Sequence, residues 1–347
     1  MKRSFLSLTL LLALSVCAFA QTLSTTDAVL VYYMPKTILA FDVTYTQTTR
    51  TQGPFYQYAE RYLGTKDIVM EDESVYELNN ITLNTKTVAD PDRAYTFTPS
   101  GSQKANIILD KKGLLVAFNA EQQEEKTKDN VYNSEQPKAP RGKKNGAGLA
   151  PLSEEALFAS SKAKMAEAAA KQIYRIREAR TNLISGEVEH MPADSKMLGL
   201  MLDKLEEQEA ELVALFVGET KSRKHHKIIY LTPEQDEQGK VLLRFSRFAG
   251  PVAADDLSGE PLMLNMTVSK KELQPSEEKP KAVSDIRYNI PGEVSVQVTD
   301  NKGKTLIDKA VPVAQFGVSV ALPQDLIRRQ PHILFNTRTG AILSITE

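Results

Sequence analysis

The chain has no tryptophan, and its one cysteine, Cys17, falls in an N-terminal stretch that reads as a removable leader. A chain that sheds Cys17 has neither a disulfide nor a thiolate, so covalent staples, thiolate metal sites and cysteine nucleophiles are excluded. Only four histidines occur in 347 residues, which leaves little material for imidazole-centred catalysis. After the leader, no apolar run approaches the roughly 18 residues that a membrane-spanning helix needs. An excess of one charge is also missing. With 43 basic residues against 44 acidic ones, the chain offers little attraction to a nucleic-acid backbone. It must hold itself together by packing, and it is long enough for more than one core.

What is present begins with the leader. Met1-Lys2-Arg3 is basic, residues 5–16 are apolar apart from Ser and Thr, and Ala18-Phe19-Ala20 fits the small-x-small rule for signal peptidase. Residues 1–20 therefore read as a signal peptide cleaved after Ala20. Lipidation of Cys17 is the rival reading, but Val16 is bulky where a lipobox takes Gly, Ala or Ser. Either way the protein leaves the cytoplasm for the periplasm or the cell surface.

The stretch 151–218 reads as a helical hairpin. Ser153 is a serine N-cap followed by Glu154 and Glu155, and Phe158, Met165, Ala169, Ile173, Ile176 and Leu183 recur on one face. Ser185-Gly186 stops that helix, and Asp194 caps a second one, in which Leu198, Met201, Leu202, Leu205, Leu212, Val213 and Phe216 form a stripe that closes at Gly218. Arg180 and Glu209 fall inside the stripes. The antiparallel register separates them by about ten residues, so they are not expected to pair.

Either side of the hairpin the pattern is β. In the N-terminal region, 21–120, Ala28 to Tyr33 and Ile38 to Thr48 read as two strands separated at Pro35-Lys36. A compact helix follows between Gly53-Pro54 and Gly64, with further strands near Ile68, Tyr76 to Leu83 and Tyr95 to Thr98. A hairpin then turns through Asp110-Lys111-Lys112-Gly113. Residues 121–150 collapse into Glu, Lys, Gln, Asn, Gly and Pro and read as a disordered linker. The C-terminal region, 219–347, returns to alternation, as in Val294, Val296 and Val298, and ends in a hairpin from His332 to Ile345. The expected fold class is α+β: two antiparallel β-rich domains, the second sandwich-like, flanking a long antiparallel α-helical hairpin.

Several segments carry a resemblance. Met34-Pro35-Lys36-Thr37, Gly53 to Gly64 (GPFYQYAERYLG), Gln172 to Glu178 (QIYRIRE), Leu215-Phe216-Val217-Gly218 and Ala314-Gln315-Phe316-Gly317 resemble an uncharacterised family of exported proteins from Bacteroidota. The resemblance implies export and supplies no site residues.

The chemistry-bearing motifs are few. G-x-S-x-G, H-E-x-x-H and the dinucleotide fingerprint are all missing. Gly142 to Gly148 fails the order of a phosphate-binding loop. His225 and His226 are neighbours in a strand, point to opposite faces and cannot share a metal without a bend. Asp255, Asp256 and Glu260 lack the alternate-residue spacing of a calcium loop and read as turn acids. No catalytic residue, metal site or cofactor is expected. Eight of the twelve tyrosines lie between Tyr32 and Tyr95. In the short helix, Phe55, Tyr58 and Tyr62 share a face that should lie on the sheet, while Tyr56 points elsewhere, in line with Glu60. Tyr56 and Glu60 are the candidate partner surface, because an aromatic with a polar tip beside a carboxylate suits recognition. Two functions remain: a non-catalytic binding or assembly module whose partner is an unknown envelope protein or glycan, and a hydrolase acting on glycan or peptide with scattered carboxylates.

The leader makes the first prediction. Intact mass of protein recovered from the native envelope is expected to correspond to an unlipidated chain beginning at Gln21; a mass that includes an acylated Cys17 would move the protein onto a membrane surface.

Overall fold

The computed structural model describes residues 22–23, 30–98, 106–120, 152–188, 194–270 and 286–346. The expected leader with Cys17, the expected linker 121–150 and His190 lie outside the described residues. The strands, in chain order, are β1 (Thr22–Leu23), β2 (Leu30–Thr51), β3 (Glu73–Phe97), β4 (Ile107–Leu109), β5 (Leu115–Phe118), β6 (Glu219–Leu231), β7 (Glu237–Ser246), β8 (Gly250–Val252), β9 (Glu260–Lys270), β10 (Arg287–Thr299), β11 (Thr305–Ala321), β12 (His332–Phe335) and β13 (Ile342–Thr346). The helices are α1 (Ala59–Leu63), entered through a 3-10 turn at Tyr56–Tyr58, then α2 (Glu154–Leu157), α3 (Lys162–Ser185), α4 (Ser195–Val217) and α5 (Gln324–Arg328).

The expected α+β arrangement, two β-rich domains flanking a long helical hairpin, is overturned. About half of the described residues are in strands and a quarter in helices. The strands form three antiparallel sheets, ordered β3-β2-β6, β11-β10-β9-β7-β8 and β1-β4-β5-β12-β13. Two of them mix strands from before and after the helical segment: Leu39 to Thr51 of β2 pair with Leu231 to Glu219 of β6, and β5 pairs with β12 through Phe118 and Ile333. Alternation identifies a strand but carries no information about which distant strand lies beside it.

The main core sits between two of these sheets. Leu39, Phe41 and Val43 of β2 with Ile81 and Leu83 of β3 face Leu264, Met266, Val294, Val296 and Val298 across a sandwich. Each of these points inward because side chains two apart share a face. A second core joins Tyr32, Met34 and Phe97 to Phe118, Ile333 and Phe335 of the third sheet. The turn between β6 and β7 closes no hairpin and carries the chain from one sheet to the other.

The break expected at Pro35 does not occur, and β2 runs unbroken for 22 residues. Proline is tolerated there because β6 ends at the position opposite Leu39, so Pro35 has β3 alone beside it. Beyond that end, a side chain takes the place of a strand. Thr37 N–H donates to Gln315 Oε1 and Gln315 Nε2 donates to Thr37 O, both at 2.9 Å, while the Ala314 N–H donates to Thr37 Oγ1 at 3.0 Å. Gln315 Nε2 also reaches the Pro233 carbonyl at 3.1 Å. Gly317 has to be glycine here, since a Cβ would lie 2.1 Å from the Ile290 carbonyl oxygen.

The helical segment is likewise divided. Ser153 caps only the four residues of α2, the chain then turns, and Ser161 caps α3, which leaves Phe158 exposed and outside the stripe. Of α4, only Leu212 and Phe216 are buried, so its N-terminal half does not form the seam of a long hairpin. These two residues pack with Ile173 and Ala169 of α3 and with Phe55 and Ala59, so the aromatic face of the short helix lies on α3 and α4 and not on the sheet. A Cβ on Gly53 would meet the Leu215 carbonyl oxygen at 2.5 Å, which is why the chain can make this approach only without a side chain. The register set by these contacts also corrects the reading of the stripe charges. Glu209 accepts from Arg177 Nε at 2.6 Å and lies 2.8 Å from Arg180 Nη1.

Gln315→Ala removes a carboxamide that satisfies three backbone groups at a junction of sheets. Urea unfolding is expected to show a loss of about 3 kcal/mol, from three neutral hydrogen bonds at roughly 1 kcal/mol each. A loss below about 1 kcal/mol would mean that the packing around Thr37 holds without the clasp.

Candidate functional site

The three-stranded sheet β3-β2-β6 buries one face in the sandwich, and among the described residues nothing covers the other. Alternation from Phe41 and Val43 places Ala40, Asp42, Thr44, Thr46 and Thr48 on that outer face, opposite Asn84, Thr82 and Asn80 of β3 and Tyr230, Ile228, His226, Lys224 and Ser222 of β6. Most of these side chains are exposed or half-buried. They form short cross-strand links: Thr46 Oγ1 donates to Asn79 Oδ1 at 2.8 Å, Thr48 and Ser222 hydroxyls are 3.0 Å apart, and Lys86 Nζ sits 5.2 Å over the Tyr230 ring.

Asp42 is the exception on this face. It is 5 % exposed, walled by Thr82 on one side and Ile228 on the other. Its Oδ1 is buried and accepts no hydrogen bond among the described residues. His226 stands beside it, its Nδ1 3.5 Å from Asp42 Oδ1 and in a 3.3 Å hydrogen bond with Thr44 Oγ1. A carboxylate withdrawn from water without donors is costly, by roughly 1–3 kcal/mol or more. A sheet does not need one there for folding.

His225 and His226 point to opposite faces, as strand alternation requires. His225 turns inward and stacks on Tyr45 at 5.4 Å, and Tyr45 also meets Tyr76 and Phe245 at 6.2 and 6.1 Å. Burial, with the nearby Tyr76 hydroxyl adding to it, pushes the Tyr45 phenol above its ordinary value. Among the described residues no three His, Cys, Asp or Glu side chains converge as a metal cluster, and no helix is long and apolar enough to cross a membrane. Asp256 is a turn acid: its carboxylate accepts the Ser258 N–H at 2.9 Å, and its hydrogen bonds to Ser258 hold its carboxyl below the ordinary value.

The two residues singled out from the sequence are each engaged locally and stand apart from this face. Tyr56 is half-buried and its hydroxyl accepts from Gln57 Nε2 at 3.0 Å; Glu60 is exposed and pairs with Lys66 at 3.1 Å. Sequence reasoning passed over Asp42, because an aspartate in an alternating strand reads as a solvated outward residue. A faint signal was available: it is the only acid in a β-branched and aromatic run from Val43 back to Ile38 and on to Thr49.

Asp42→Thr, which suits an outer strand position, is expected to leave the melting temperature unchanged or raise it, since it removes a buried charge that no donor offsets. A loss of more than about 1 kcal/mol in thermal unfolding would make the carboxylate part of the fold's own stability.

The segments Met34 to Thr37 and Ala314 to Gly317 meet in the Thr37–Gln315 clasp, and Gly53 to Gly64, Gln172 to Glu178 and Leu215 to Gly218 meet in the helical core, where Phe55 N–H donates to Leu215 O at 2.7 Å and Tyr174 OH to Tyr62 O at 2.7 Å. All five lie within residues 29–343, which match a family model described as a domain of unknown function, DUF4831. No curated protein and no solved structure matches the chain. With nearly its whole length matched, and with the segments that carried the resemblance forming the two junctions of its fold, the chain belongs to the DUF4831 family.

Proposed function

We propose that the protein is an exported component of the cell envelope, a non-catalytic binding or assembly module whose partner, an envelope protein or a glycan, docks on the outer face of the β3-β2-β6 sheet. One observation carries this reading: among the described residues a polar face three strands wide stays uncovered, while Oδ1 of a carboxylate in its middle is buried without a donor. Stability alone favours a hydrophobic or neutral residue at position 42, so a strand that keeps an aspartate there keeps it for something outside the fold. The basic, apolar and small-x-small order of residues 1–20 supports export. Tyr56 and Glu60 supply a second, smaller contact at the turn into α1, where both have exposed surface. A hydrolase would want a second carboxylate converging on Asp42; the register places Thr82 and Ile228 beside it.

A photo-crosslinking residue introduced in the native host at Tyr230, at Tyr56 and at Lys302 tests the surface. Lys302 is exposed in the turn after β10 and serves as the off-site control. Discrete adducts from position 230 and none from 302 are expected. Adducts from 302 alone, or equal labelling from both, would sink the outer-face reading, and silence at 56 would remove Tyr56 from the surface.

A further inference from the structure

We infer that the outer edge of β6 is a docking strand for an extended, acidic protein segment, which adds to the β3-β2-β6 sheet as a fourth strand. This goes beyond the outer-face reading, because it assigns the rim of the sheet to backbone pairing and is measured on the purified protein alone.

β6 ends the order β3-β2-β6, and among the described residues no strand lies beyond it. It is 13 residues long and pairs with β2 without a register shift, from Leu231 opposite Leu39 to Glu219 opposite Thr51. In an antiparallel ladder every second residue turns its N–H and C=O away from the partner strand, so β6 presents a regular row of donors and acceptors along its far side. The other edge strands among the described residues are each blunted. β1, β8 and β13 are 2, 3 and 5 residues long. β3 carries Pro91 and β11 carries Pro312, and both pair with register shifts. Shortness, proline and bulges keep a sheet from recruiting another chain. β6 has none of the three.

What β6 carries instead is charge of one sign. Lys221, Arg223, Lys224 and Lys227 are all exposed, and Glu219 is the sole acid of the strand. Lys221 pairs with Glu219 at 2.7 Å and Lys227 donates to the Pro251 carbonyl at 3.0 Å, while Arg223 and Lys224 have no ion pair among the described residues. Like charges facing each other across a ladder repel and opposite charges attract. The edge therefore turns away a second β6 and accepts a strand with Asp or Glu at the facing positions, where proline or a bulge would refuse every strand. Towards the end of β6 the character changes to Ile228, Ile229, Tyr230 and Leu231, with Tyr230 54 % exposed, which suits apolar residues in the incoming segment beyond its acidic part. An anionic glycan would meet the same cations but has no peptide groups with which to extend the ladder, so the unbroken register of β6 favours a peptide.

The probe is a labelled synthetic peptide of alternating Glu and Val, titrated into the purified protein at about 0.15 M salt. Saturable binding is expected, with slowed hydrogen exchange at alternate amides of β6. The same peptide N-methylated at alternate residues keeps its charge; methylation in one frame is expected to abolish binding and in the other frame to leave it intact. Arg223→Glu combined with Lys224→Glu should weaken binding about tenfold or more and give the edge a preference for a Lys-Val peptide. Both side chains are exposed, so this variant folds. Equal binding of the two N-methylated peptides, or equal binding of a sulfated oligosaccharide, would overturn the docking strand by making the edge a patch of positive charge only. A wild-type chain that binds no acidic peptide, or that dimerises through β6 at this salt, overturns it as well.

Discussion

The carboxamide of Gln315, held against Thr37, is the polar contact that ties the sheet of β2 to the sheet of β11. It takes over the hydrogen bonding of β2 where β6 has run out, so the long central strand can continue past its partner without leaving its peptide groups unsatisfied. Arg93 extends the same seam from β3. Its guanidinium donates to Asn289 Oδ1 at 2.8 Å, to Ser319 Oγ at 2.7 Å and to the Ala314 carbonyl at 3.1 Å. Asn289, fully buried, passes the connection to the third sheet through its amide, which donates to Thr339 O at 2.7 Å, and through its backbone N–H, which donates to Gly340 O at 2.8 Å. A polar junction of this kind is stable because every member has a partner; with one member missing, the others become buried and unsatisfied.

Asp42 departs from that rule, and the contrast between the two places is informative. At the junction, buried polar groups come in mutually satisfied sets. On the outer face the buried carboxylate has one half-exposed histidine beside it, which makes no hydrogen bond to Oδ1. A fold that satisfies Asn289 and leaves Asp42 Oδ1 short carries an uncompensated cost on its outer face. The helical layer shows the intermediate case. Glu209 is mostly buried and bracketed by Arg177 and Arg180, ion pairs that fix where α4 sits on α3 although Glu209 Oε2 accepts no hydrogen bond among the described residues.

Local signals were legible where they act within a few residues. The alternation of Phe41, Val43 and Tyr45 marked a strand, Asp110 to Gly113 marked a hairpin turn with Gly113 at a φ of 78°, Gly186 at 78° ended α3, and Asp194 capped α4 by accepting the Lys196 N–H. The readings that failed each depended on a neighbour distant in the chain. Pro35 looked like a strand break because its tolerance rests on β6 stopping four residues away along the sheet. Phe55 looked like a sheet-packing residue because nothing near it in sequence announces Phe216, its ring partner at 5.5 Å. Arg180 and Glu209 looked too far apart because their register was measured from the connection, when the packing of Leu212 and Phe216 sets it.

By itself the sequence determined the period of each element, several of the residues that cap or end one, such as Asp194 and Gly186, and the family to which the chain belongs. All of these are written in side-chain type and spacing over less than about two dozen residues. Only the tertiary structure decided that β2 pairs with β6, that the glycine-bearing segments Gly53 and Gly317 lie against distant backbone, and that Asp42, outward in its strand, is nonetheless buried beside His226. The physical reason is that strand pairing and burial are properties of two surfaces brought together. A strand's own sequence specifies which of its faces is apolar and leaves open what will cover the other.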